Sequence, residues 1–241
     1  IKERADCSAA VFDAGGAMVS QAEHIPVHLG SMPGSVAAAL DSFGGRLRPG
    51  VAVLLNDPYL GGTHLPDLTL VSGVYTTDDD GEDVLLGYVA NRAHHADVGG
   101  AAPGSMPADA RDIAAEGIRI PPTIVADGDG IRDDVLRLIA ANSRTPEERH
   151  GDLRAQFAAN HVGARRLIEL ARRLGIDGLR TAMREVCDYS ERRVRAAVER
   201  IPDGTYTFAD ELEVERPVTI RAAITVSGDT VDIDFAGTDP Q

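Results

Sequence analysis

Residues able to bind a proton or a metal are concentrated in two short runs. The first, Asn56-Asp-Pro-Tyr-Leu-Gly-Gly-Thr-His-Leu-Pro-Asp67, sets Asp57, His64 and Asp67 among prolines and glycines that mark an irregular loop. The second, Asn91-Arg-Ala-His-His-Ala-Asp-Val-Gly-Gly100, holds His94, His95 and Asp97. His64 with Asp67 and His94 with Asp97 repeat one His-x-x-Asp spacing. Imidazole nitrogen beside carboxylate oxygen suits Mn²⁺, Fe²⁺ or Zn²⁺ with positions left open for water and substrate. Adjacent residues of an extended chain point to opposite sides, so only one of His94 and His95 is expected to ligate. The repeated spacing favours His94, with His95 as the alternate ligand or a general base. Asp57 and Asp97 are then expected to orient imidazoles. His24 and His28 bring to five the histidines that lie beside Gly/Pro-rich loops in the first hundred residues.

Each run follows an apolar segment, which places both at the ends of neighbouring strands, a common way to assemble a site. Val51 to Leu55 is continuously apolar and reads as a strand covered on both faces. Strands are predicted over 8–12, 17–21, 68–75 and 84–90, with the acidic run Asp78 to Asp83 as a hairpin tip. Pro26 argues against a helix through His24 and His28. Residues 29–34 read as a loop, and 35–43 as a short helix with Ser35 at its N-cap.

Further on, 133–142 reads as a helix. A long helix is predicted over 146–174, with Thr145 as N-cap, Pro146 in its first position and Gly175 past its end. A second helix over about 177–200 carries Leu179, Met183, Val186, Val194, Ala197 and Val198 at helical spacing, predicting an antiparallel hairpin with the first. Arg149, Asp152 and Gln156 share one face, either as a solvated ion-pair row or as a polar stripe facing a site or subunit. Three strands close the chain. The fold class is α+β: a mixed-sheet N-terminal part (1–143), a helical hairpin (144–201) and a C-terminal β segment (202–241). The abrupt start and stop suggest a segment of a longer polypeptide.

Composition bounds the function. The 241 residues are 43% hydrophobic but only 4% aromatic, so the core rests on aliphatic side chains. A formal charge of −14 argues against a nucleic-acid or anionic-membrane surface. Two distant cysteines, Cys7 and Cys187, suggest reduced thiols and a cytoplasmic protein. GxxxxGK[ST], GxGxxG and GxSxG are all missing, so any nucleotide must be bound elsewhere.

His24-Ile-Pro-Val-His-Leu-Gly-Ser-Met-Pro33, the two runs above, Pro103-Gly-Ser-Met-Pro107 and Arg144-Thr-Pro-Glu-Glu-Arg-His-Gly-Asp-Leu-Arg-Ala-Gln156 together resemble the hydantoinase B/oxoprolinase family. The resemblance implies a subunit of an ATP-dependent enzyme that opens a hydantoin or 5-oxoproline-type ring. A hydantoinase A-type partner would bind ATP and phosphorylate the small cyclic amide, making a hetero-oligomer. It also implies manganese or zinc held by a His-x-x-Asp pair and a further histidine, which map onto His64, Asp67 and His94. A ketone carboxylase subunit of the acetone or acetophenone type and a non-catalytic assembly subunit are the alternatives.

Overall fold

The computed structural model describes residues 5–22, 25–44, 47–78, 80–128, 130–213 and 216–240. His24 lies outside the described residues. The chain forms two compact units, Ile1–Met183 and Arg184–Gln241.

The first unit is built on a seven-stranded sheet. Its strands are β1 (Cys7–Asp13), β2 (Met18–Ala22), β3 (Ala52–Leu55), β4 (Asp67–Thr77), β5 (Asp83–His94), β6 (Thr123–Asp127) and β7 (Gly130–Ile131). They lie in the order β2-β1-β5-β4-β3-β6-β7, and every pairing among the described residues is antiparallel. Helix α1 (Pro26–Phe43) covers one face, where Met32, Val36 and Ala39 pack with Phe12, Val53, Val71, Tyr88 and Ala90. On the other face lie α2 (Asp133–Ala141) and α3 (Pro146–Leu174), whose Leu136, Ile139 and Leu153 pack against Leu54, Leu68 and Leu70. With a layer on each face, β3 is buried throughout, as its unbroken apolar run predicts.

Two elements run further than the sequence reading allowed. Strand β5 was expected to stop at residue 90, yet Asn91 to His94 continue the ladder opposite β4, with Leu70 facing Asn91 and Asp67 facing His94. The polar residues there are paired across the ladder and are not a loop. Helix α1 starts at Pro26 and runs straight through the stretch read as a loop. Pro26 sits in the first turn, where no backbone N–H is needed, so it begins the helix where a break was expected. Pro33 does interrupt one helical hydrogen bond, but burial of Met32, Val36 and Ala39 on either side of it carries the helix on. Ser35 is therefore a mid-helix residue and not an N-cap.

The bounds of α3 match the predicted 146–174, and Leu153, Leu167 and Ala171 of its stripe are buried. Its Thr145 makes no side-chain cap hydrogen bond. Arg149 and Gln156 are buried, Gln156 bonding to the Leu68 carbonyl of β4 and Arg149 pairing with Asp152, so the face they share is not a solvated row. In α4 (Ile176–Val198) only Leu179 and Met183 are buried, in one cluster with Leu167 and Ala171. Val186 and Val194, expected in a core, are exposed, and the first compact unit ends at Met183.

The second unit contains a meander, β10 (Thr230–Asp234), β9 (Val218–Ser227) and β8 (Gly204–Leu212), in that order. Register places Tyr206, Phe208, Ile224 and Ile233 on one face and Thr205, Thr207, Thr225 and Asp232 on the other. The alternation is that of a one-sided sheet.

Candidate metal centre

Asp67 opens β4 and stands directly opposite His94, the last residue of β5. His64 lies three residues before Asp67, in a turn closed by the Asp67 N–H donating to the His64 carbonyl at 3.0 Å. Ladder register and turn together bring three donor atoms into a triangle. His64 Nε2 is 2.9 Å from Asp67 Oδ1, His94 Nδ1 is 3.2 Å from the same oxygen, and the two nitrogens are 3.2 Å apart. Donors held at about 2.0–2.2 Å from one cation lie roughly 3.0–3.5 Å from each other, so these edges suit a single ion.

The side chains behind the triangle sort the two oxygens of Asp67. Oδ2 accepts a hydrogen bond from Thr63 Oγ1 at 2.8 Å and faces His28 Nε2 at 3.4 Å, leaving Oδ1 to the triangle. Burial opposes ionisation of Asp67, but hydrogen bonds from His64 and then His94 outweigh it and hold the carboxyl well below the usual range. The hydrogen bond to Asp67 raises His64 against its own desolvation. His28 is fully enclosed, and burial is the main cause of its lowered pKa. Its Nδ1 is 2.9 Å from Ser8 Oγ. With Nε2–H directed at Asp67, Nδ1 is the acceptor and Ser8 the donor.

A further carboxylate, Asp6, lies beside the triangle. Asp6 Oδ1 is buried with no hydrogen-bond partner, while Oδ2 is 4.0 Å from His94 Nδ1. That Oδ1 is 3.8 Å from His28 Nε2, so the two oxygens of Asp6 face different rings, His28 and His94. The ring nitrogens of His64 and His94 face each other at 3.2 Å, a separation at which one cation can accept the lone pairs of both. His64 is the exposed member, its side chain 39% accessible, so the cluster opens to solvent on that side.

The other candidates do not join the cluster. His95 points to the opposite sheet face, as strand parity requires, and its Nε2 is 3.0 Å from Gln156 Oε1 on α3. The Gln156 amide donates to the Leu68 carbonyl and to Asn91 Oδ1, so its oxygen must accept and His95 carries its proton on Nε2. Burial pushes His95 down to about 3, outweighing the Gln156 hydrogen bond. The structure thus places His95, read as an alternate ligand or general base, fully enclosed against α3 and away from the triangle. Asp57 caps the turn at Pro58–Leu60 by accepting from the Tyr59 N–H, and lies 3.6 Å from Arg119. Asp97 accepts from the Arg144, Gly99 and Gly104 N–H groups and from the Arg144 guanidinium at 2.9 Å. Against the opposing effect of burial, these bonds hold its carboxyl at about 2. Both aspartates fasten loops, so the expectation that they orient imidazoles is corrected: Asp67 and Asp6 face the rings instead.

The profile of the Hydantoinase B/oxoprolinase family matches residues 1–241. The chain belongs to this family. Within it, the chain is 33% identical to the caprolactamase β subunit of Pseudomonas jessenii, over 95% of its own length and 39% of that protein. It is 38% identical to a 5-oxoprolinase of Dictyostelium discoideum, over 81% of its length and 15% of that protein. The crystal structure of the ATP-dependent caprolactamase from Pseudomonas jessenii superposes on 98% of the chain with a TM-score of 0.90 at 34% identity, using 40% of that chain. An acetone carboxylase structure shares the fold, with a TM-score of 0.79 at 21% identity. The chain thus spans less than half the length of these relatives. Among the described residues no helix is long and apolar enough to cross a membrane.

His64, Asp67 and His94 stand out in the sequence and His28 is counted among its clustered histidines, whereas Asp6, Ser8 and Arg92 carry no such mark there. Parity was the available signal for Arg92, since residues 92 and 94 of one strand share a face. The signal for His28 was the spacing of His28, Ser31 and Ser35, one helix face once Pro26 is read as a helix start.

Proposed function

We propose that this chain carries the metal-dependent step of an ATP-dependent enzyme that opens a cyclic amide, with ATP held by a partner of the hydantoinase A type. The observation that carries the reading is the triangle of His64 Nε2, Asp67 Oδ1 and His94 Nδ1 on the ends of two paired strands. Support for the substrate class comes from relatives above 30% identity that are named caprolactamase, 5-oxoprolinase and, in Pseudomonas sp., putative D-/L-hydantoinase. All three names denote rings closed by an amide. The acetone carboxylase likeness, at 21% identity, speaks for the fold alone.

In this reading His64, Asp67 and His94 hold the cation, and Asp6 adds negative charge beside them through Oδ2, 4.0 Å from His94 Nδ1. Manganese and zinc both suit two imidazoles with carboxylates. When bound, such an ion supplies Lewis acidity, activating water and stabilising negative charge that develops on a carbonyl oxygen. Thr63 and His28 keep Asp67 Oδ2 turned away, so Oδ1 presents one lone pair to the ion. Ser8 fixes the His28 tautomer that makes this possible. The accessible edge of His64 marks the side from which substrate enters. A ring amide is poorly electrophilic, and phosphorylation of its oxygen with ATP on the partner supplies a leaving group. The missing phosphate loop agrees with that division of labour, and a cytoplasmic hetero-oligomer is the assembly it calls for.

The test is metal analysis of the purified protein, followed by reconstitution with the hydantoinase A-type partner and ATP. Hydantoin, 5-oxoproline and caprolactam opening would be assayed alongside His64→Ala. Ring opening that is lost with His64→Ala supports the proposal. Bicarbonate-dependent ketone consumption without ring opening would overturn the amidase assignment, and a metal-free protein indifferent to His64→Ala would point to a purely assembling role.

A further inference from the structure

Arg92 is fully buried, yet the oxygens that receive its hydrogen bonds are all neutral. Nε donates to Thr69 Oγ1 at 2.8 Å, Nη1 to Ser31 Oγ, and Nη2 to Ser35 Oγ at 2.6 Å and the Gly61 carbonyl at 3.4 Å. Enclosing a charge among neutral acceptors is costly, and the arrangement joins three separate elements. Thr69 belongs to β4 and pairs with Arg92 across the ladder; Ser31 and Ser35 belong to α1; Gly61 belongs to the loop that ends in His64 and Asp67.

The hydroxyl roles are determined. Ser31 donates to the Val27 carbonyl at 2.7 Å and Ser35 donates to the Gly61 carbonyl, so each spends its hydrogen on a backbone oxygen and accepts from the guanidinium. At the same place the loop sits directly on the helix backbone. Gly61 has φ +84°, and a Cβ on it would collide with the Gly34 carbonyl, while one on Gly62 would collide with the Asn56 carbonyl. Helix and loop therefore meet backbone to backbone at Gly34 and Gly61, and Arg92 supplies the polar contacts that tie β5 to the joint.

We propose that Arg92 is a positioning residue that, through Ser35 and Ser31, seats the Gly61 to His64 loop on α1 and thereby sets His64 relative to His94. Arg92 and His94 share one strand face, so a single rigid element carries both the ligand and the clamp for the loop that brings the other ligands. Only a planar fork can reach the two serines and Thr69 together, so a lysine at the same point keeps the charge without the joint.

The link to metal binding rests on the metal-centre reading, and two measurements on the intact protein separate the ideas. In metal-free protein, hydrogen exchange over residues 56–67 is compared for wild type, Ser35→Ala, Ser31→Ala and Arg92→Lys. Exchange there is expected to rise about tenfold or more in Ser35→Ala and Arg92→Lys, and less in Ser31→Ala, with the β-sheet peptides unchanged. With Mn²⁺ alone as probe, affinity is expected to fall by about 10–100-fold, the range for residues that orient ligands, with a shifted Co²⁺ absorption spectrum. Should Arg92→Lys fail to fold, Ser35→Ala carries the test. Loop exchange equal to wild type in Ser35→Ala, or raised equally throughout the protein, overturns the positioning role. Raised loop exchange in a protein whose wild type binds no metal leaves the joint standing and removes the metal reading.

Discussion

Substituting His94 and His95 separately by alanine sets two adjacent histidines against each other. His94 offers Nδ1 to the cluster, so His94→Ala removes a donor and is expected to weaken Mn²⁺ or Zn²⁺ binding by at least about 100-fold, beyond the ~10–100-fold typical of orienting residues. His95 sits on the other sheet face, fully enclosed, bonded to Gln156 and held neutral by burial. His95→Ala leaves Gln156 Oε1 without its donor, at about 1–3 kcal/mol. It also opens a void of roughly 50 Å³, worth about 1 kcal/mol at ~24 cal/mol per Å³. Because the ring is uncharged at neutral pH, no ion pair is lost with it. The sum, about 2–4 kcal/mol, corresponds to a fall in Tm of roughly 5–15 °C at ~2–4 °C per kcal/mol for a protein of this size. Calorimetric unfolding of the metal-free variants and titration with metal at a temperature where both are folded provide the comparison. The expected pattern separates them by metal affinity: His94→Ala loses metal, whereas His95→Ala loses stability with metal affinity nearly intact. Loss of metal by a folded His95→Ala, with His94→Ala still binding, would refute the assignment of faces.

Three further outcomes follow from the same geometry. Gly62→Ala places a Cβ against the Asn56 carbonyl, so the loop must shift; metal affinity is expected to fall at least ~10-fold, measured by Mn²⁺ titration. Asp97 is held at about 2, below its ordinary 3.8, so its stabilising contribution is complete above about pH 4 and drains away as pH falls from there toward 2. Asp97→Asn should lower stability at pH 7 and flatten the fall between about pH 4 and 2 in urea unfolding. Gln156→Leu preserves bulk but leaves His95 Nε2–H and Asn91 Oδ1 unpaired, costing roughly 2–4 kcal/mol in urea unfolding while sparing the cluster on the opposite face.

Much of the fold was legible along the chain, because it depends on local patterning. The apolar run of β3, the bounds of α3 with Pro146 and Gly175 at its ends, and the alternation of β8 to β10 are all properties of short stretches. So is the pairing of His64 with Asp67, since three residues in one turn are near each other in any fold. Parity also establishes that His94 and His95 must diverge.

Which of those two histidines meets His64 is a tertiary matter, because it depends on which side of the sheet receives α1 and which receives α3. Packing likewise recruits Asn91 to His94 into the ladder, since the hydrogen bonds that hold them come from β4 and β1. Helix α1 runs through Pro33 because burial against the sheet outweighs one missing hydrogen bond. That same helix brings His28, Ser31 and Ser35 to the site from a stretch that reads as a loop. Asp6 and Ser8 reach it from the start of the chain through the register of β1 with β5, a long-range pairing that no local pattern encodes.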